Sequence, residues 1–156
     1  MSAPLTLARF PETLALVRLA AGSEVPSWVE SSSIFSVTAT AAETALVCAA
    51  RSVPTKTRHV RPFTAFSLVV AEGTHAAEAG HDGAARLLTL LAPLVEEGLG
   101  VRTVPTYDTD WVLVPTEEAD RAEEAWRRQG HTVAPAVPAT RSAQQQAATP
   151  QRKSPR

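Results

Sequence analysis

The chain has 156 residues, 44% apolar and 20% charged, and 15 Lys+Arg against 16 Asp+Glu leave a formal charge of −1. A globular chain of this size buries roughly 70% of its unfolded surface, so its core needs no metal or cofactor and none is expected. The longest apolar run, residues 87–95, is broken by Thr89 and Pro93 and falls far short of the roughly 20 residues of a membrane-spanning helix, so no membrane association is expected.

Residues 1–22 lack a basic start and carry Pro11 and Glu12 in their apolar stretch, which does not fit a secretory signal. The single Cys48 has no disulfide partner, and a reducing, cytoplasmic setting is expected. In chain order, LALVRL at 14–19, IFSVTA at 34–39 and TALVCA at 44–49 are short and rich in Val, Ile, Phe and Thr, which predicts strands. Residues 26–30 have room for two helical turns at most. PFTAFSLVV at 62–70 predicts another strand, and residues 72–84, rich in Gly and Ala without a period, predict a long loop.

Leu87, Leu88, Leu91, Leu94 and Val95 recur at helical spacing, which predicts a core-facing helix over 84–97 closed by Gly98 in the left-handed region. Pro93 removes a backbone donor inside it, and Glu96 and Glu97 sit at the unfavourable end of its dipole. A kinked or frayed last turn is therefore expected. Residues 100–106 and 110–115 predict a hairpin through Thr106-Tyr107-Asp108-Thr109. Thr116 predicts the N-cap of a second helix with Glu117 and Glu118 in its first turn, Arg127 and Arg128 in its last and Gly130 as its stop. Trp126 is that helix's one large apolar anchor, and residues 131–134 predict a final strand. His59 and His131 are expected at the surface or a strand edge.

From Pro62 the order is strand, helix, strand, strand, helix, strand, which is the split βαβ sandwich. A shift of 67 residues sets Val37 on Val104, Glu43 on Asp110, Leu46 on Leu113 and Val47 on Val114, so the first half reads as a degenerate copy. The expectation is an α+β protein of two ferredoxin-like βαββαβ units: a degenerate unit over 1–56, a second unit over 57–134, and a disordered tail over 135–156. That tail holds Arg141, Arg152, Lys153 and Arg156 with no acid and four prolines, giving +4 against −5 for the remainder. Without interleaved aromatics its charges do not make a nucleic-acid surface, and nucleic acid is not an expected partner. Two packed units leave a cleft between them as the expected ligand site.

Val25-Pro26-Ser27-Trp28, Phe35-Ser36-Val37-Thr38-Ala39-Thr40 with Glu43 and Leu46-Val47-Cys48, Leu91-Ala92-Pro93-Leu94, and Thr106 to Val114 (TYDTDWVLV) resemble the ACT-domain proteins. The resemblance, over about residues 5–134, is to small bacterial two-unit members related to the arginine-sensing proteins of animal cells. It implies a regulatory, non-enzymatic module that binds an amino acid at an interface between such units, with a homo-oligomer or a regulatory protein as partner. The insertion EGTHAAEAGHDG replaces the short Gly-containing turn usual before the first helix of the second unit.

A free amino acid needs a carboxylate for its ammonium and backbone N–H groups for its carboxylate. Asp108 and Asp110 can supply the first, and Gly80, Asp82 and Gly83 the second. Thr106, Tyr107 and Thr109 belong to the same turn, and Ser36 and Thr38, before the equivalent turn of the first unit, complete the candidate ligand set. The same residue types also suit a tight turn with side-chain to backbone bonds. His75, Glu78, His81 and Asp82 offer metal-ligand chemistry, set against a glycine-rich surface loop as the simpler reading. Cys48 in an apolar strand is expected to be inert core. Asp108 and Asp110, two apart on an extended chain, point to opposite faces and do not form an acid–base pair. Trp28 and Trp111 suit either core or an oligomer interface. The rival to an amino-acid sensor is an interaction or dimerisation module that keeps the fold without the pocket.

Overall fold

The computed structural model describes residues 3–135, the Arg61 side chain apart, so the tail predicted to be disordered lies outside the described residues save for Pro135. Eight strands and two helices follow one another as β1 (Thr6–Arg9), β2 (Leu14–Leu19), β3 (Ser36–Ala39), β4 (Thr44–Ala49), β5 (His59–Leu68), α1 (Gly80–Glu96), β6 (Arg102–Pro105), β7 (Asp110–Pro115), α2 (Ala119–Arg128) and β8 (Thr132–Pro135). Short 3₁₀ turns occupy Ser27–Ser31, Ala50–Ser52, Ala76–Glu78 and Thr116–Glu118. The α+β fold is therefore present, with one strand, β1, that the pattern of residues 3–13 did not announce.

The strand β5 belongs to both halves. Its start pairs with β2 (Val17↔His59, Leu14↔Phe63), and its end pairs with β7 from Phe63↔Pro115 to Ser67↔Trp111. The first half runs β2, 3₁₀ turn, β3, β4, 3₁₀ turn, β5, with strands ordered β3-β4-β2-β5. The second runs β5, α1, β6, β7, α2, β8, and its order is the same except that β1 is inserted, antiparallel to β5 and parallel to β8. The first half thus repeats the strand order of the second, with short 3₁₀ turns at the places where the second carries α1 and α2.

The repeat holds at a shift of 66, not 67. Val37↔Leu46 in the first hairpin corresponds to Thr103↔Val112 in the second, and Ala39↔Thr44 to Pro105↔Asp110. The turns agree: Thr40 N–H donates to Glu43 O at 2.8 Å and Thr106 N–H to Thr109 O at 3.0 Å. A one-residue slip in a strand exchanges its two faces, so the 67-residue match aligned inward with outward side chains.

Alternation along the strands sorts the core into three apolar layers. Leu7, Phe66, Val112 and Val114 face α1 and α2 together with Leu90, Leu94 and Trp126. The opposite faces, Phe63, Ala65 and Leu113, meet Leu14, Leu16 and Val47 of the first half. Ala15, Val17, Leu46 and Cys48 then face Val29 and Trp28 of the first 3₁₀ turn. The seam between the halves is consequently filled by apolar side chains instead of holding the ligand cleft expected there, and an open groove of about 440 Å³ lies at its margin, lined by Leu16, Val47, Leu91 and Leu113 with Arg102 and Thr103.

Both helices depart from their expected frames. In α1 the buried face is Leu90, Pro93 and Leu94, flanked by Leu87 and Leu91, while Leu88 and Val95 are 66% and 64% exposed. A Leu-rich helix offers more than one apolar stripe, and packing selects between them. Its last turn is intact, because Gly98 (φ 72°) donates to Val95 O at 3.0 Å and buried Leu99 to Leu94 O at 2.9 Å, the two bonds of a Schellman cap. Thr116 does not cap α2; its Oγ1 accepts from Thr64 Oγ1 at 3.1 Å and a 3₁₀ turn intervenes. His131 is not at the surface: it is buried, and its Nδ1 accepts the Leu5 N–H at 3.1 Å. Among the described residues no helix is long and apolar enough to cross a membrane.

Candidate ligand site

The β6–β7 turn is built from its own hydroxyls. Thr106 Oγ1 donates to Thr109 O at 2.6 Å and accepts from Thr109 N–H at 3.2 Å, and Thr109 Oγ1 donates to Leu68 O at 3.2 Å. These local bonds fix the direction in which Tyr107 and Asp108 leave the hairpin.

Against that turn lies the segment expected as a free loop. Ala76 N–H donates to Asp108 O and Ala77 N–H to Tyr107 O, both at 3.0 Å, so residues 75–79 dock as a strap across the hairpin end. Side chains add to the hold: His75 Nδ1 lies 2.6 Å from Asp108 Oδ1, and the Tyr107 hydroxyl donates to the Glu78 carboxylate. The imidazole and phenol rings are 5.2 Å apart. Because the neutral phenol is the form that donates to Glu78, the Tyr107 pKa is raised above its ordinary value.

Beneath the strap Thr109, Asp110, Gly83 and Arg86 line one crevice with Leu68, Val70, Ala76, Leu87 and Leu90. Its volume is about 10 Å³, room for a single water. Arg86 is the residue that sequence reasoning passed over, since a long cation on a helix ordinarily signals only a solvated face; its place one turn after Gly83 was the available clue.

The other candidates divide. Gly80, at φ 53°, turns the chain from strap into helix. Asp82 and Gly83 N–H groups donate to Ala79 O at 3.1 and 3.3 Å, so they are spent inside the first turn of α1 instead of being offered to a ligand carboxylate. Tyr107 and Asp108 face the strap. Ser36 and Thr38 stand apart, in a groove of about 170 Å³ between β3 and β6 with Val47, Thr103, Val104 and Pro105. His75 and Glu78 are turned to Asp108 and Tyr107, and among the described residues no three His, Cys, Asp or Glu side chains gather as a metal site. Burial, then the charge of Glu12, pushes the Cys48 thiol up to about 11, which keeps it protonated and unreactive at neutral pH.

The family model of the ACT domain matches residues 67–128, the span that contains the strap, the crevice and the hairpin turn. The match covers less than half of the chain and leaves out most of β5 and all of β8. A second model, describing the N-terminal domain of a family, matches residues 12–56, ahead of that span. No curated protein matches the chain. Among solved structures, the protein Atu0741 from Agobacterium tumefaciens shares the fold at a TM-score of 0.74 with 23% identity, over 87% of this chain and 96% of that one. VC0802 from Vibrio cholerae, a protein of unknown function described as a possible transport protein, gives 0.60 and 18% over 80% and 88%. The regulatory subunit of aspartate kinase from Thermus flavus gives 0.51 and 10% over 78% and 95%. At such identities the likeness is one of fold, shared by the ACT-like half and the half that precedes it.

Proposed function

We propose that the chain is a non-enzymatic regulatory sensor whose ACT domain binds a free amino acid in the crevice beneath the strap. The observation that supports this reading is that Asp110 and Arg86 line the same crevice, an anion for the ligand's ammonium and a cation for its carboxylate. Leu68, Val70, Leu87 and Leu90 then face its side chain. The resemblance to two-unit ACT proteins related to arginine sensors, and the fold shared with a regulatory subunit of aspartate kinase, support a regulatory module for an amino acid, although the resemblance implies a ligand between units and the crevice lies within one. With room for one water the crevice admits a ligand only as the strap moves, so binding trades the strap's bonds for ligand contacts and shifts the population of the two arrangements.

Thermal denaturation with each of the twenty amino acids tests the reading. A ligand at about 100 times its Kd stabilises by about 2.7 kcal/mol, a Tm rise of roughly 5–10 °C for a chain of this size. Asp110→Asn and Arg86→Gln are expected to abolish the rise. If no amino acid moves Tm, the closed crevice supports the second reading, an interaction module that keeps the fold and has given up the pocket.

A further inference from the structure

The two halves cover each other over only part of their width. In the first half Ser36 stands beside Val47, Val47 beside Leu16 and Leu16 beside Val60, so the register sets these side chains in one row across β3, β4, β2 and β5. Leu16 and Val47 reach the seam, whereas Val60 at the end of the row is 56% exposed. Across from the row, β6 pairs with β7 alone and forms the edge of its sheet. Val104 lies opposite Trp111 and Arg102 opposite Leu113, and both β7 residues belong to the seam, so Arg102 and Val104 stand on the face turned to the first half. Between this edge and the row runs the open groove of about 440 Å³. It shares Leu16, Val47 and Val104 with the groove of about 170 Å³ beside Ser36 and Thr38, and the two make one elongated hollow.

Packing alone gives no reason for an arginine in that place. Arg102 is exposed, and among the described residues its guanidinium has no carboxylate or carbonyl partner. A guanidinium stays charged throughout the physiological range. The hollow therefore combines apolar walls, the hydroxyls of Ser36, Thr38 and Thr103, one cation and no acid. We propose that it binds an aliphatic carboxylate, a medium-chain fatty acid whose carboxylate meets Arg102 and whose chain lies along Leu16, Val47 and Val104. The planar fork of Arg102 can donate to both carboxylate oxygens. The missing acid excludes a free amino acid here, because its ammonium would be set against an apolar wall with nothing to receive it. The volume is that of a small-molecule site, and its length suits an extended chain. Asp110, Arg86 and the strap line a different crevice, so this site stands independently of the amino-acid reading.

Isothermal titration calorimetry of the full chain with decanoate tests the proposal. Saturable binding of one decanoate per chain is expected. Decanol keeps the chain without the charge, acetate keeps the charge without the chain, and each is expected to bind at least roughly tenfold more weakly. Arg102→Gln, at an exposed position the core does not use, is expected to weaken decanoate roughly tenfold or more while leaving decanol and the thermal midpoint unchanged. Thr38→Trp, which fills the far end of the hollow from an exposed position, is expected to weaken decanoate and decanol alike. Asp110→Asn is expected to leave decanoate binding as it is. The absence of binding, several decanoates per chain, or an affinity indifferent to Arg102→Gln overturns the proposal, and so does a loss of decanoate binding in Asp110→Asn, which would place the ligand in the crevice beneath the strap.

Discussion

Trp126 shows how one residue ties three elements. Its side chain is fully buried, its Nε1–H donates to Leu90 O of α1 at 2.8 Å, and its ring meets Phe66 of β5 edge to face at 4.9 Å. The tryptophan therefore sets the distance between α2 and α1 as well as filling the space above the sheet. Replacing it with Ala forfeits both the transfer energy and the cavity term, about 3–5 kcal/mol. Trp126→Phe keeps an aromatic against Phe66 but removes the indole donor and part of the volume, and about 2 kcal/mol is expected. Both variants lack the donor to Leu90 O, so urea unfolding of the two isolates the packing: equal losses would mean that a phenyl ring against Phe66 recovers none of what the indole's burial contributes.

The strap depends on pairings that span thirty residues of chain, and Tyr107 gives direct access to it. This is the only tyrosine in the sequence, so tyrosinate absorbance reports on it alone. Its raised pKa comes from donating to Glu78, which the ionised phenol cannot do. The bond is accordingly intact below the ordinary tyrosine range and is lost as pH rises through the raised value. Glu78→Ala is expected to move the ultraviolet titration midpoint down toward the ordinary value; an unchanged midpoint would show that the strap is not held there. None of this docking was legible in residues 72–84, because Gly73, Gly80 and Gly83 read locally as a loop and the Ala76 and Ala77 amides find their carbonyls on a distant turn. The hairpin and the C-terminal stop of α2, in contrast, announced themselves, since Thr106, Thr109 and Gly130 act within a few residues of their own positions. The buried face of α1 fell between these cases: the helical period was plain, and only the sheet decided that Leu90 turns inward and Leu88 outward.

Across the whole molecule the two halves cannot be separated without breaking a strand. β1 and β2 run along one edge of β5, with Phe10 N–H donating to Ala65 O at 2.8 Å between them, so residues 6–19 act as one interrupted strand serving both halves. Arg9 at the end of β1 reaches α2 through Asp120 at 3.0 Å and Glu123 at 2.9 Å. β1, four residues long, was hidden because its parallel partner β8 lies at the other end of the described chain and no local signal links them. The family models match 12–56 and 67–128 separately, yet β8 gains its pairing from β1, and Phe63, Ala65 and Leu113 are covered by Leu14, Leu16 and Val47. A fragment of residues 57–135 would expose that apolar layer and leave β8 without its neighbour, so it is expected not to fold. The full chain is expected to unfold in a single transition. Variants retaining only Trp28, packed against the first half's core, or only Trp126, within the second's, place a fluorescent reporter in each half. Their urea curves should share one midpoint and one slope. Two separated midpoints would show that the apolar seam and the shared strand do not couple the halves, and that each unit is stable by itself.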